Sequence, residues 1–374
     1  RYRGIETPPA GTPEAASSAT SPTTQPTTQP SGDLTGESGS GFDGRHTQAA
    51  LKQLIKYRIS LAGEHCPPSK NYCGYHKYMS ASFIDRLATS APRLHELIDQ
   101  FQQPRVLVIG DLTLDEFLVG QVERISREAP VLILRHEHTA QVPGGGANAV
   151  YNLAKLGAKV KVAGLVGDDI QGVALTQIFQ AVGIDTTGIL VESARPTVTK
   201  TRIAGHARQS VTQQIVRVDR KSDDLPSVHL QQQLADYIKG EIANVDVVVC
   251  SDYGDGVLSQ LVIDAALQHP HCIVDAQNGL DRYRGATLFT PNLPEAEQAV
   301  GYSINSPALV TQAGKDLLEL TQAKQMLITR GEDGMSLFDR DGTEQHIPAF
   351  NRTDVFDVTG AGDTVVAALA LSLC

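Results

Sequence analysis

Asp357-Val358-Thr359-Gly360-Ala361-Gly362-Asp363 stands close to the C-terminus, between an extended segment (Thr353 to Val358) and an apolar, Ala-rich one (Thr364 to Leu373). Such a stretch predicts a strand or loop feeding a helix. At a helix N-terminus, unpaired backbone N–H groups and the macrodipole attract anions. Gly360 and Gly362 let the backbone close around an anion with no side chain in the way. Asp363 then falls in the first helical turn, beside the anion. A carboxylate there can accept a proton from an attacking hydroxyl, while the cradle stabilises the charge on the group being transferred. Gly360, Ala361, Gly362 and Asp363 are therefore the candidate catalytic residues, and the expected chemistry is phosphoryl transfer to an alcohol.

Taken alone, a Gly-x-Gly-Asp turn is more often a glycine turn whose Asp caps a helix. Two other phosphate motifs are excluded. The chain has no Gly-Lys-Ser/Thr, so no Walker loop is present. Gly360-Ala361-Gly362-Asp363-Thr364-Val365 keeps two glycines of a dinucleotide fingerprint, but at the end of the chain and not on its first βα unit.

Outward from this stretch, the chain alternates strands and helices. Arg105 to Asp111 is a continuous apolar run ending in Gly-Asp, as in a buried parallel strand. Further strands are expected at Val131 to Leu134, Lys159 to Leu165, Val198 to Ala204, Val245 to Cys250, Cys272 to Asp275, Thr287 to Thr290 and Gln325 to Thr329. Helices are expected at Gly144 to Leu156, Ser227 to Glu241, Leu258 to Leu267, Pro294 to Val300 and Ala308 to Leu320. This order predicts an α/β fold with a parallel sheet covered on both faces, and ligands beyond the carboxyl ends of its strands. Val131 to Leu134 and Val198 to Ala204 are interrupted by polar residues and read as a half-exposed sheet.

The chain has 374 residues, 41% of them hydrophobic, a net charge of −10 and a pI near 5.5. It can bury a sizeable core, and a nucleic-acid footprint is not expected. Five cysteines, three of them isolated, suggest reduced thiols. No apolar run reaches membrane-spanning length, so the chain reads as a soluble, cytoplasmic protein. Residues 1–45 are rich in Pro, Thr, Ser, Gly and Gln and read as disordered. Residues 46–78 are poorly defined, with a short helix expected over 46–62. His65-Cys66, Cys73 and His76 match no usual zinc spacing and read as a polar loop. The first methionine is Met79; the domain is expected over 79–374, with the preceding part an extension or an upstream reading-frame artefact.

Several motifs fall at predicted strand ends. Gly110-Asp111 and Asp115 offer carboxylates to sugar hydroxyls, or caps to a turn. Gly144, Gly145 and Asn148 open a helix whose backbone and amide can approach a polyol, or form a purely structural turn. Ser251-Asp252-Tyr253 ends another strand. In Thr290-Pro291-Asn292-Leu293-Pro294-Glu295, an amide and a carboxylate one helical turn apart suit a hydrated Mg²⁺ with nucleotide phosphates, or a capping box. Thr329, Gly331 and Gly334 belong to a turn over which a nucleotide can lie. Each is weak alone; together, at successive strand ends, they are hard to explain as capping.

The pair Gly144-Gly145…Asn148 and Asp357-x-Thr359-Gly360-Ala361-Gly362-Asp363 resembles the two signatures of the PfkB (ribokinase-like) carbohydrate kinases. Within that family, several phrases resemble the D-glycero-β-D-manno-heptose-7-phosphate kinases, the kinase half of bifunctional ADP-heptose synthesis proteins. Among them are Arg124-Ile125-Ser126…Glu128-Ala129-Pro130, Pro196-Thr197-Val198-Thr199-Lys200, Ser251-Asp252-Tyr253 and Arg282-Tyr283-Arg284-Gly285-Ala286-Thr287. The similarity runs from about Arg105 to the C-terminus. It implies a three-layer α/β/α sandwich with a small β-sheet lid near 112–142 and 195–220. It also implies ATP-dependent, Mg²⁺-assisted phosphorylation of the anomeric hydroxyl of heptose 7-phosphate, towards a lipopolysaccharide precursor. By position, Asp363 is the base and Gly360 to Gly362 the anion hole. Asn292 to Glu295 with Thr329, Gly331 and Gly334 serve ATP and Mg²⁺; Asp115, Gly144, Gly145, Asn148 and Asp252 hold the sugar. Lids of this family commonly pair across subunits, which implies a homodimer.

The chain departs from the family in places. Asp255-Gly256 stands where many relatives have Lys-Gly, and Ala276-Gln277 where Pro-Lys is common. Two cations that could meet a 7-phosphate are missing, with Lys200, Arg202, Arg208, Arg217 and Arg282 as compensating candidates. Relatives continue past the helix after Asp363 through another helix that backs the adenine pocket, so the chain reads as a fragment with weakened ATP binding. The competing readings are another PfkB sugar or nucleoside kinase and an inactive sugar-binding relative.

Overall fold

A computed structural model describes residues 81–207, 212–349 and 360–374. Helix α1 (Ala81–Gln100) leads into β1 (Arg105–Gly110), β2 (Leu112–Ile125) and β3 (Leu132–Gly145). Then come α2 (Gly146–Leu156), β4 (Lys159–Val166), α3 (Ile170–Ala181), β5 (Asp185–Val191), β6 (Val198–His206), β7 (Gln213–Arg220) and α4 (Val228–Glu241). They are followed by β8 (Val247–Asp252), α5 (Gln260–Ala266), β9 (Cys272–Ala276), β10 (Leu288–Phe289), α6 (Leu293–Val300) and α7 (Pro307–Thr321). Strands β11 (Gln325–Thr329), β12 (Met335–Asp339) and β13 (Glu344–Ile347) and helix α8 (Ala361–Ser372) complete the order.

Among the described residues, nine strands form the main sheet in the order β13-β12-β11-β10-β9-β8-β1-β4-β5. The period of two along each strand sends alternate side chains to opposite faces. In β1, Val106 and Val108 enter one core and Leu107 and Ile109 the other. The first core holds Leu153 of α2, Phe179 of α3 and Val366 of α8. The second holds Ile238 of α4, Val262 of α5, Ala296 of α6 and Leu317 of α7. Helices therefore cover both faces, giving the three-layer sandwich.

A second sheet, β3-β2-β6-β7, forms the lid. The chain enters it from the main sheet across one residue, because β1 ends at Gly110 and β2 begins at Leu112. Strands β2 and β3 are 14 residues each, long enough to reach well beyond the sandwich.

The observed elements differ from the expected ones in instructive ways. The sheet is not wholly parallel: β12 and β13 pair antiparallel at the edge. Strand β3 runs from Leu132 to Gly145, so Gly144 and Gly145 close a strand and the helix starts at Gly146. Strand β5 and helix α3 were not expected at all. The readings of residues 1–45, the 46–62 helix, the His65 to His76 loop and a start at Met79 lie outside the described residues. So do Arg208 and the extended segment Thr353 to Val358.

Candidate active site

Helix α8 begins after Gly360, which adopts φ 79° and receives no side-chain cap. A β-carbon at Gly360 would lie 2.6 Å from Asn148 Nδ2, so the turn needs glycine for its φ and for its neighbour. At Gly362 a β-carbon would meet nothing within 4 Å. The first N–H groups of α8 have no intrahelical partner, and Thr364 is the first to bond back, to Gly360 O at 3.1 Å. Among the described residues, nothing else bonds to the first donors of this helix.

Asp363 lies in this first turn and is 4% exposed. Its Oδ2 accepts from Asn148 Nδ2 at 2.7 Å, and its Oδ1 accepts from the Tyr253 hydroxyl at 3.1 Å. Burial pushes its pKa up; the hydrogen bonds from Asn148 and Tyr253 pull it back, the nearby Asp115 raises it and Lys200 lowers it. Asn148 is on α2, so the two glycine motifs of the sequence meet at this carboxylate.

Tyr253 is held by a residue whose role sequence reasoning missed. Asp111, fully buried between β1 and β2, accepts from the backbone N–H groups of Tyr253 (2.8 Å), Asp255 (3.0 Å) and Val257 (3.1 Å). Its own N–H donates to Ser251 O at 3.1 Å, and its carbonyl accepts from Gly146 N at 3.0 Å. With both oxygens engaged by backbone donors, it organises the loop after β8. Burial raises its pKa to about 6, with the charge of Asp252 adding to the effect.

Asp115 and Gly144 meet at the root of the lid. A β-carbon on Gly144 would fall 2.6 Å from the Asp115 carboxyl group, and Asp115 Oδ1 accepts from Arg202 Nη1 of β6 at 2.7 Å. Gly145, at φ 52°, turns the chain against Thr113. Two residues before Arg202, Lys200 places its ammonium 5.6 Å from the centre of the Tyr253 ring. Asp252 faces elsewhere. Its Oδ1 accepts from Gly254 N at 2.9 Å, and its Oδ2 accepts from the Tyr283 hydroxyl at 2.6 Å and from Arg282 Nη1 at 3.3 Å.

Asn292 and Glu295 form the capping box of α6. Asn292 Oδ1 accepts from Glu295 N at 2.9 Å, and Asn292 N donates to Glu295 Oε2 at 2.8 Å. Asn292 also bridges to Thr329 at the end of β11. Asp275, at the end of β9, accepts from Thr290 Oγ1 at 3.0 Å. Burial drives its pKa up to about 7, and the charges of Asp363 and Glu295 add to this. No sequence motif marked it. Gly331 (φ 57°) has open space at its Cα, whereas a β-carbon on Gly334 (φ 85°) would collide with the backbone of Ile347 to Ala349. Gly334 therefore serves the hairpin.

The profile of the pfkB family of carbohydrate kinases matches residues 103–374. The Bifunctional protein HldE of Geobacter metallireducens is 42% identical over 273 residues, 71% of this chain and 54% of that protein. Its namesake from Desulfatibacillum aliphaticivorans is 41% identical over 283 residues, 74% of this chain and 56% of that one. The chain thus spans a little over half the length of these relatives. Among solved structures, Arabidopsis thaliana ribokinase complexed with ribose and ATP superposes with a TM-score of 0.57 at 19% identity, covering 72% of this chain and 86% of that one. Escherichia coli phosphofructokinase-2 in complex with fructose-6-phosphate gives 0.56 at 19% identity, covering 72% and 88%. These likenesses establish a ribokinase-like fold.

Proposed function

We propose that this chain, which belongs to the pfkB family of carbohydrate kinases, phosphorylates the anomeric hydroxyl of D-glycero-D-manno-heptose 7-phosphate with ATP, giving the 1,7-bisphosphate. As a member of that family it is a phosphotransferase with an alcohol group as acceptor. The choice of heptose 7-phosphate is supported by the identity to HldE proteins over this half of their length. The observation that carries the mechanism is Asp363 itself, buried in the first turn of α8 and held by Asn148 and Tyr253.

In this reading Asp363 takes the proton of the acceptor hydroxyl as that oxygen attacks. Its burial raises its basicity towards the working pH, which strengthens a general base so long as it stays ionised. Asn148 and Tyr253 fix the carboxylate and leave its remaining lone pairs for the hydroxyl. The N–H groups of Ala361 and Gly362 and the helix dipole face the transferred phosphoryl group, where negative charge accumulates. Asp115, Gly144, Gly145 and Asn148 form the sugar side. Asp252, with both oxygens engaged, acts there by pinning the turn at Gly254.

Asn292, Leu293, Pro294, Glu295, Thr329, Gly331 and Gly334 form the nucleotide side, with Gly334 acting through its hairpin. Glu295 uses one oxygen in the capping box, so the other fits a hydrated Mg²⁺ carried on the nucleotide phosphates. That ion would offset phosphate charge. The lid exposes Val216 and Val218, which supports pairing of two lids in a homodimer. A cytoplasmic location follows from ATP as donor. A second reading, another phosphorylated sugar as acceptor, is favoured by Asp255 and Gln277, which line the lid-side cavity where a cation would suit heptose 7-phosphate.

The test is ATP consumption by the full chain against heptose 7-phosphate, fructose 6-phosphate, ribose and adenosine. Turnover is expected with the heptose phosphate and not with the others. In Asp363→Asn it should fall about 10²–10⁴-fold with sugar binding kept. Equal loss of binding and turnover would sink the base assignment.

A further inference from the structure

Arg195 lies in the crossover from β5 to β6, the segment 192–197 that carries the chain back into the lid. It is 9% exposed, and its Nη2 donates to the carbonyl of Asp255 at 2.8 Å. We propose that Arg195 is a positioning residue for phosphoryl transfer. Through Asp255 it fixes the loop that presents Tyr253 to Asp363, and it ties that loop to the root of the lid strands β6 and β7. The inference rests on the kinase reading of Asp363.

Three observations carry it. The first is complementarity. The Asp111 carboxylate holds the N–H groups of Tyr253, Asp255 and Val257, and the Arg195 guanidinium takes a carbonyl of the same loop. A loop gripped through both its donors and its acceptors has little freedom to shift Tyr253. Among the described residues, this is the one hydrogen bond between segments 192–197 and 253–257.

The second observation is the anchorage of Arg195 itself. Its Nη1 lies 3.7 Å from Oε2 of Glu192, which is also buried. Glu192 Oε1 accepts from Ser227 N at 3.0 Å, and Glu192 N donates to Val166 O at 2.9 Å. Thr197 closes the crossover, donating through its N and Oγ1 to Asp169 at 2.8 and 2.6 Å. The entry into β6 and the return from β7 towards α4 therefore meet at the Glu192–Arg195 pair. The third is space. Arg195 and Asp111 line one cavity with Asp255 and Val257, and its volume is about 10 Å³. That is room for about one water and for no sugar or phosphate, so Arg195 acts through the loop and not on a ligand.

The experiment compares the full-length wild type with Tyr253→Phe and with Glu192→Gln/Arg195→Met, using heptose 7-phosphate and ATP. The paired variant keeps the net charge and leaves no buried ion unpaired, so it should fold. Asp363 is otherwise faced by Asn148 of α2, Asp115 of β2, Lys200 of β6 and Asp275 of β9, all unchanged. A donor to an ionised carboxylate lowers its pKa, so loosening Tyr253 should raise that of Asp363. The acidic limb of kcat/KM is expected to move up by about half a unit to one unit in the paired variant. Added to Tyr253→Phe, the pair should move it no further. Amide exchange at Tyr253, Asp255 and Val257 should quicken about tenfold in the paired variant, with β9 unchanged.

A limb that moves in Tyr253→Phe and stays put in the paired variant overturns the inference. Additive shifts overturn it too, as does unchanged exchange in the loop. If the limb stays put in Tyr253→Phe as well, Tyr253 has no part at the base and the positioning role falls with it. The kinase reading fails separately: quickened exchange in a chain without turnover sinks that reading and keeps the hold of Arg195 on the loop.

Discussion

The Tyr253 hydroxyl donates to Asp363 Oδ1 across 3.1 Å, tying the end of β8 to the first turn of α8 over 110 residues of sequence. Burial and the Asp363 charge raise the Tyr253 pKa, so the phenol remains a donor throughout the working range. A donor to the ionised carboxylate lowers the pKa of that carboxylate. Tyr253→Phe should therefore raise the Asp363 pKa and move the acidic limb of the kcat/KM profile to higher pH. The loss should be largest at low pH and smallest on the alkaline plateau. A pH–rate profile with an unmoved limb would show that Tyr253 has only a packing role.

Gly360 and Gly362 should respond oppositely to the same substitution. Gly360→Ala meets both a positive φ and the Asn148 amide, and a loss of stability of about 1–2 kcal/mol is expected. Gly362→Ala meets open space and should melt like the wild type, yet lose turnover because its methyl occupies the anion cradle. Thermal melts and ATP turnover on both variants check this; normal activity in a stable Gly362→Ala would dismiss the cradle.

Asp111→Ala would leave three backbone N–H groups, those of Tyr253, Asp255 and Val257, without their acceptor. Each unsatisfied buried donor costs about 1–3 kcal/mol, so a large loss in denaturant stability is expected. Asp111→Asn keeps one acceptor oxygen and should fall between. If Asp111→Ala unfolds at the wild-type denaturant concentration, the clamp contributes nothing.

Asp275 gives a pH signature in stability. Its folded pKa of about 7 lies well above the ordinary Asp value of about 3.9, with burial as the chief cause. Below about pH 4 both states hold the proton. As the pH rises to 7 the unfolded chain releases it while the folded chain does not, so stability falls over that window. Asp275→Asn keeps an acceptor for Thr290 and should remove the fall. Its melting temperature is expected to exceed the wild type by a few degrees at pH 8 and to match it at pH 4.

What the sequence disclosed was mostly local. The run Val106 to Ile109, the glycines before α8 and α2, and Asp363 announce themselves by composition and order, and the three-layer sandwich follows from their alternation. What stayed hidden depends on long-range partners. Asp111 bonds to residues 142 to 146 positions away, so nothing near it reveals a clamp. Tyr253 sits in the phrase Ser251-Asp252-Tyr253, yet its role exists only once α8 has docked. Strand β7 is exposed along its whole length and lacks the alternation of a half-buried strand. Asn292 and Glu295 showed the reverse ambiguity: their capping box was legible and is present, and it leaves the nucleotide role to experiment.

The single-residue junction at Asp111 has a practical corollary for protein engineering. A lid carrying a different acceptor preference looks like a module that could be grafted between scaffolds. Here the seam is also the anchor of β8, of the start of α2 and of the loop that presents Tyr253. A graft cut at Gly110–Leu112 would discard that anchor along with the old lid. Chimaeras should instead be spliced after Asp111 and before Gly146 for β2 and β3, and between β5 and β6 and between β7 and α4 for the other two lid strands, so that a new lid inherits the host's own clamp.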